Sequence, residues 1–227
     1  MSSSYFAPSN RSDLDDAVSA WNVNAEDAAS IYGDINTWDV SAVRDFSYLF
    51  ANETEFNSDI SHWDVSGGTD FQYMFTSASS FNQNIGKWDV SGGTNFQYMF
   101  GEASSFNHDI SKWDVSRGVN FNAMFGDALD FNQNISKWDV SRGTNFQYMF
   151  CNASTFNQDI SDWDVSRGTN FIYMFYGASS FDQDISYWPV HPGADLVSMF
   201  SHLMISNQGF DETPLVTDFG QVRDTTP

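Results

Sequence analysis

The fold is decided by residues 60–84, which read ISHWDVSGGTDFQYMFTSASSFNQN. The same pattern recurs along the chain without insertion or deletion. It places tryptophans 25 residues apart, at Trp38, Trp63, Trp88, Trp113, Trp138, Trp163 and Trp188. A strict repeat of this length is typical of a solenoid, in which each coil buries its apolar face against its neighbours. The sequence therefore predicts a stack of about seven coils.

The first part of each coil has the period of a β-strand. Trp63 and Val65 are two residues apart, so both should point inward and leave His62 and Asp64 outward. The second part has the period of a helix, because apolar residues recur at i, i+3, i+4 and i+7. These residues are Phe71, Met74, Phe75 and Ala78. The expected fold class is an α/β solenoid of right-handed, leucine-rich-repeat-like coils, with short parallel strands on one face and short helices on the other.

Two apolar columns run through the repeats and predict the core. The valine column comprises Val40, Val65, Val90, Val115, Val140, Val165 and Val190. The phenylalanine column comprises Phe50, Phe75, Phe100, Phe125, Phe150, Phe175 and Phe200. A third column is an amide column, at Asn57, Asn82, Asn107, Asn132 and Asn157. Its side chains are expected to bond the backbone of adjacent coils in a buried turn.

The ends of the chain depart from the repeat. Residues 1–34 are predicted to be a lead segment and a helical N-terminal cap, with one helix capped by Ser12 and a second from Ala25 to Tyr32. Residues 35–205 are the predicted solenoid, and residues 206–227 an irregular acidic C-terminal tail.

Composition limits the classes of function. Nine Lys and Arg against thirty Asp and Glu give a formal charge of −21, which argues against a nucleic-acid partner. No stretch reaches the roughly 20 apolar residues of a transmembrane helix, and residues 1–10 lack the pattern of a signal peptide. The lone cysteine, Cys151, excludes an internal disulfide framework.

The string FNQDISDWDVS at residues 156–166 resembles the BspA-like repeats, a leucine-rich-type family of 25-residue repeats found in surface proteins and lipoproteins. The resemblance extends over about residues 31–203 and implies adhesion or protein interaction at a cell surface. The chain departs from the family's usual Asn-Val-Thr-Asn-Met segment, because it pairs a glycine with a phenylalanine three residues later. The pairs are Gly68 with Phe71, Gly93 with Phe96, Gly118 with Phe121, Gly143 with Phe146, and Gly168 with Phe171. A small residue beside a large one suggests that volume is conserved in this turn.

No arrangement of residues indicates catalysis, a cofactor or a metal centre. The four histidines, His62, His108, His191 and His202, stand in different columns, and the glycine pairs lack the lysine of a phosphate-binding loop. The sequence therefore predicts a non-enzymatic protein-interaction or structural module. A calcium-dependent adhesin and an unrecognised enzyme remain as alternatives.

The candidate partner-binding face comprises two outward columns of the predicted strand. One is acidic throughout: Asp39, Asp64, Asp89, Asp114, Asp139 and Asp164. The other varies between coils: Thr37, His62, Lys87, Lys112, Lys137, Asp162 and Tyr187. The acidic side chains either bond along the ladder and pair with lysine, or form a stripe for a cationic partner or calcium. The expected partner is a protein of basic or mixed charge, or a neighbouring subunit of an assembly.

Overall fold

The computed structural model describes residues 6–201, and it begins with two helices that cover the first coil. Helix α1 spans Arg11–Val23 and helix α2 spans Ala25–Tyr32, followed by a 3₁₀ turn at Ile35–Thr37. The N-cap of α1 is Asn10, whose side chain accepts a hydrogen bond from the backbone N–H of Asp13, so the prediction of Ser12 as the cap was wrong. Helix α1 buries Leu14, Ala17 and Val18 against the solenoid. The predicted C-terminal tail, residues 206–227, lies outside the described residues.

The repeats form a solenoid of stacked coils. Successive coils are joined by parallel bridges at one position each: Asp45 to Asp70, Asp70 to Asn95, Asn95 to Asn120, Asn120 to Asn145, Asn145 to Asn170, and Asn170 to Asp195. The bridges lie in the ladder segment, which we define as residues 45–52 and the equivalent residues of each later coil. Apart from these single bridges, the described coils contain neither an extended strand nor an α-helix.

Within the ladder segment, alternate peptide groups bond from coil to coil. Phe96 donates its N–H to the Asn120 carbonyl at 2.9 Å, and Tyr98 donates to the Asn122 carbonyl at 2.8 Å. Phe100 continues the series to Met124. The same pattern recurs in the other described coils. The backbone of the segment is thereby satisfied between coils, as in a sheet.

The remaining peptide groups of the segment close tight turns, so the helix predicted at Phe71–Ala78 is wrong. Met74 donates its N–H to the Phe71 carbonyl at 3.3 Å, and Ala78 donates to the Phe75 carbonyl at 3.0 Å. The third residue of each turn is left-handed, with φ of 57° at both Tyr73 and Ser77, as a type II turn requires. No helix follows Asp70, and its carboxylate accepts from the N–H of Gln72 in an Asx turn. Successive turns bury the same apolar stripe that a helix would bury.

The strand predicted around each tryptophan is correct in its inward residues but wrong in its hydrogen bonding. Trp113 and Val115 are buried, with 3% and 1% of their surfaces exposed. However, the Trp113 N–H bonds the Ile110 carbonyl of its own coil. The link to the previous coil comes from the side chain, because the indole Nε1 donates to the Ile85 carbonyl at 3.1 Å. Each repeat tryptophan from Trp63 to Trp188 is therefore both a core residue and a cross-coil donor.

Stacked aromatic columns fill the interior, which confirms the predicted core. The ring centroids of Phe100 and Phe125 are 5.7 Å apart and their planes differ by 3°. Most column members are buried, although Val190 and Phe200 of the last coil are partly exposed. The amide column bonds between coils as predicted, with the Asn82 N–H donating to the Asn57 side chain at 2.9 Å. It lies at the surface rather than in a buried turn.

The glycine–phenylalanine pairs are in direct contact, which confirms their predicted complementarity. A Cβ on Gly118 would lie 2.3 Å from Cζ of Phe121 and 2.9 Å from the Val115 carbonyl oxygen. The first coil differs, since it buries Val43 and Phe46 together. In the later coils the phenylalanine ring occupies the space of the missing side chain.

Arg11 of α1 closes the N-terminal end of the ladder. Its guanidinium donates to the carbonyl of Asp45 at 3.1 Å and to the carbonyl of Ser47 at 2.5 Å. In later coils the equivalent carbonyls accept from the coil before. The cap thus supplies the donors that a preceding coil would supply.

Candidate interaction face

Three Asx turns bend each of the first six coils, and the acidic column forms one of them. Oδ1 of Asp89 accepts from the N–H of Ser91 at 3.0 Å. In the same way, Asp109 accepts from Ser111 at 2.9 Å, and Asn120 accepts from Asn122 at 3.2 Å. These turns are local side-chain to backbone bonds two residues apart. The aspartates of the predicted site therefore have a structural role, because each one closes a turn.

All six carboxylates of the acidic column are exposed. Each accepts the N–H of a serine two residues later. This differs from the expectation that the side chains bond along the ladder or pair with lysine. Only one oxygen, Oδ1, is engaged in the turn.

The turn also favours the ionised form of three of these carboxylates. Hydrogen bonds from the following serine, first from its side chain and then from its backbone N–H, lower the pKa of Asp39, Asp114 and Asp164. Asp39, Asp114 and Asp164 are consequently negatively charged at neutral pH.

The chain shows that an Asx turn here does not need a charge. Asn84 and Asn134 replace aspartate in the second set of turns, and they accept the same bond at 3.2 Å and 3.0 Å. In the third set Asn95, Asn120 and two further asparagines do so. The acidic column nevertheless keeps aspartate in all six of its coils, and Pro189 ends it in the seventh. The geometry of the turn does not explain why this column always has aspartate and never asparagine.

The neighbouring variable column is exposed throughout, as predicted. Lys137 lies 3.5 Å from the carboxylate of Asp162, with both side chains 80% exposed. Neither Lys87 nor Lys112 makes an ion pair within the described residues. His62 contacts Asn36 through both its backbone and its ring, and Tyr187 is 82% exposed. The two predicted columns thus form one surface of mixed charge.

Within residues 6–201, no three His, Cys, Asp or Glu side chains converge in a way that could hold a metal ion. The acidic column runs along the solenoid instead of surrounding a point, whereas calcium takes six to eight oxygen ligands. In the same range no helix is long and apolar enough to cross a membrane.

Cys151 lies half-buried in the ladder segment. Burial, and secondarily the charge of Asp127, raise the pKa of its thiol to about 11. The thiol is protonated at neutral pH and is a poor nucleophile.

Sequence reasoning missed a row of exposed arginines beside the acidic column. Arg117, Arg142 and Arg167 occupy one position in three consecutive coils, where earlier coils have Ala42, Gly67 and Gly92. Together with Lys87, Lys112 and Lys137 they account for six of the nine basic residues. This concentration of positive charge on one part of an acidic chain was the signal available in the sequence.

Comparison with known proteins places the chain in a family without supplying an activity. Neither the curated proteins nor the solved structures contain a match. One family model matches twice, over residues 24–133 and 110–212, and so spans the second cap helix and the coils. The chain therefore belongs to the family described as "Mycoplasma protein of unknown function, DUF285".

Proposed function

We propose that this protein is a non-enzymatic interaction module that docks a protein partner on its acidic column and the adjoining variable column. One observation carries the proposal. Aspartate is kept in six coils at an exposed turn whose geometry asparagine satisfies elsewhere in the same chain. This constant charge supports a role in binding a partner.

The charges of the face indicate the partner. The first coils present carboxylates without lysine, while Lys87, Lys112 and Lys137 add positive charge in the middle. A partner of basic or mixed charge complements this pattern. Because the coils hold the face rigidly, binding requires little ordering of this side. Affinity should fall as salt screens the exposed charges.

The setting is part of the proposal. The likeness of FNQDISDWDVS to BspA-like surface repeats favours a role in adhesion at a cell surface. As a peripheral subunit of an assembly, the protein would contact the neighbouring subunits through the same face.

Isosteric neutralisation tests the proposal without breaking the turns. The variant D89N/D114N/D139N removes three charges from the acidic column and keeps the Asx acceptor. The matched control, D59N/D109N/D159N, removes the same charge from the second set of turns, where Asn84 and Asn134 already occur. Proteins retained from native lysate by immobilised wild type are compared with those retained by each variant, at low and at high salt.

We expect a salt-sensitive partner that survives in the control and is lost in the acidic-column variant. Equal retention by all three proteins would rule out the acidic face. Equal loss from both variants would show that total charge matters and the column does not.

A further inference from the structure

The arginine row, Arg117, Arg142 and Arg167, has no visible role in holding the fold together. Within residues 6–201 none of the three makes an ion pair or a side-chain hydrogen bond. Gly67 and Gly92 stand at the same position in earlier coils, where the turn forms equally well. The turn therefore tolerates a residue with no side chain.

Stacking three arginines places like charges next to one another. Neighbouring coils lie about 4.8 Å apart at strand spacing, and like charges directly opposite each other repel. Thirty acidic residues are present in the chain, yet none lies within ion-pair distance of the row in the described range. The guanidinium groups are left open to solvent.

We propose that the arginine row is a second docking edge, and that it binds an extended acidic segment of a protein partner. Each guanidinium offers a planar fork that matches a carboxylate in bidentate fashion. Across two coil steps the row spans roughly 10 Å. An extended peptide places side chains of one side about 7 Å apart, so two or three carboxylates meet three flexible arginines.

The acidic column beside the row selects this ligand over a uniformly anionic polymer. Asp114, Asp139 and Asp164 stand three residues before the three arginines and are exposed. They repel a chain that is negative on all sides, such as a sulfated glycan. A peptide with acids on alternate residues turns its carboxylates to the row and a neutral side to the aspartates.

This inference does not rest on the docking of a basic partner at the acidic column, because the arginines bind a ligand of opposite charge and the aspartates only repel a uniformly anionic one. Either edge can fail its test alone.

Fluorescence anisotropy at low salt tests the edge with a labelled short peptide of alternating Glu and Thr. A Gln and Thr peptide serves as the neutral probe, and heparin as the uniformly anionic competitor. The decisive variant is R117Q/R142Q/R167Q. Its matched control is K87Q/K112Q/K137Q, which removes the same charge from the variable column.

We expect the acidic peptide to bind wild type and the lysine variant with similar affinity, and the arginine variant about tenfold or more weakly. The single variant R142Q, which changes one exposed residue, should give a smaller loss and covers the case in which the triple variant misfolds. Three results would overturn the proposal: no binding to wild type, equal weakening in both triple variants, or binding of heparin that exceeds that of the peptide and depends on the same arginines.

Discussion

At the scale of single residues, the fold depends on amino acids held in an uncommon backbone conformation. Twelve non-glycine residues of the described range have positive φ, among them Tyr98 at 52° and Glu102 at 60°. For an L-residue this conformation costs about 1–2 kcal/mol. It persists because the ladder bonds of adjacent coils hold the backbone in place.

Glu102 allows that cost to be measured. Gly177 occupies its column with φ of 69°, so glycine fits the position. We expect Glu102→Gly to be more stable than Glu102→Ala by about 1 kcal/mol, since both lose the bond from the Ser77 hydroxyl and only alanine keeps the strained Cβ. Urea unfolding checks the difference. Equal stability of the two variants would mean that the left-handed residues carry no strain.

Trp113 stabilises the fold through its indole hydrogen bond and through the packing of its ring, and two substitutions separate these contributions. Trp113→Phe retains a ring but removes the indole donor to the Ile85 carbonyl, which keeps its bond from the Trp88 N–H, so we expect a loss of about 1 kcal/mol. Trp113→Ala also opens a cavity and should cost about 3–5 kcal/mol. Denaturant unfolding of both variants provides the measurement. A phenylalanine variant as stable as wild type would show that the cross-coil indole bond adds nothing.

At the scale of the element, sequence periodicity predicts correctly which residues face inward but predicts the wrong backbone conformation for them. Phe71, Met74, Phe75 and Ala78 are buried as a helical stripe would be, because successive tight turns also return every third or fourth residue to one side. The sequence contained a warning. The column that includes Asn52, Asp127, Asn152 and Gly177 is rich in residues that tolerate the left-handed conformation.

The candidate interaction face was likewise predictable only in part. Exposure of the acidic and variable columns was predictable from the alternation around Trp63 and Val65. The Asx bonds of the aspartates were not, because they depend on a turn that the strand prediction excluded. The arginine row lies in that turn, at a position to which the repeat pattern assigns no separate role.

The glycine–phenylalanine turn should behave as one unit. Gly118→Val alone forces a Cβ into the Phe121 ring and the Val115 carbonyl, and we expect it to cost about 3 kcal/mol or more. Phe121→Met alone leaves space and should cost about 1–2 kcal/mol. The double variant should be more stable than the sum of the two effects implies, by about 1 kcal/mol or more. Strict additivity in a double-mutant cycle would contradict the proposed packing.

The Asx turns make the fold sensitive to acid. Serine hydrogen bonds lower the folded-state pKa of Asp39, Asp109, Asp114 and Asp164 below the ordinary value. Their stabilisation is present above the unfolded pKa of about 3.9 and disappears as pH falls through the lower folded pKa. We expect the melting temperature to fall as pH drops below about 4, and to fall less in D59N/D109N/D159N. A melting temperature that rises in this range would mean that relief of charge repulsion outweighs the turns.

At the scale of the whole molecule, stability depends on each coil having a neighbour. Arg11 stands in for the missing neighbour at the N-terminal end through the Asp45 and Ser47 carbonyls. We expect Arg11→Met to cost about 2 kcal/mol, since charge-assisted bonds to the exposed Asp45 carbonyl and the part-buried Ser47 carbonyl are lost while the apolar stem remains. The effect should be local. Hydrogen exchange should quicken in α1 and leave the Tyr98 amide unchanged.

Arg44→Met is the control, because Arg44 is exposed and donates a single long bond of 3.4 Å to the Gly67 carbonyl. Faster exchange throughout the solenoid in Arg11→Met would show that the molecule opens as one unit.

The ladder segment also has an electrical direction. Its cross-coil peptide groups turn their carbonyls toward the N-terminal end and their N–H groups toward the C-terminal end, and they outnumber the cross-coil bonds of opposite direction, such as those from Thr69 and Ser80. Their dipoles therefore add along the axis, as they do in an α-helix, and the guanidinium of Arg11 sits at the negative pole. If two molecules met end to end at the same pole, backbone N–H groups would face N–H groups, or carbonyls would face carbonyls. A whole coil inserted between two others, by contrast, meets acceptors on one side and donors on the other, so a chain of this kind can lengthen by duplicating its interior.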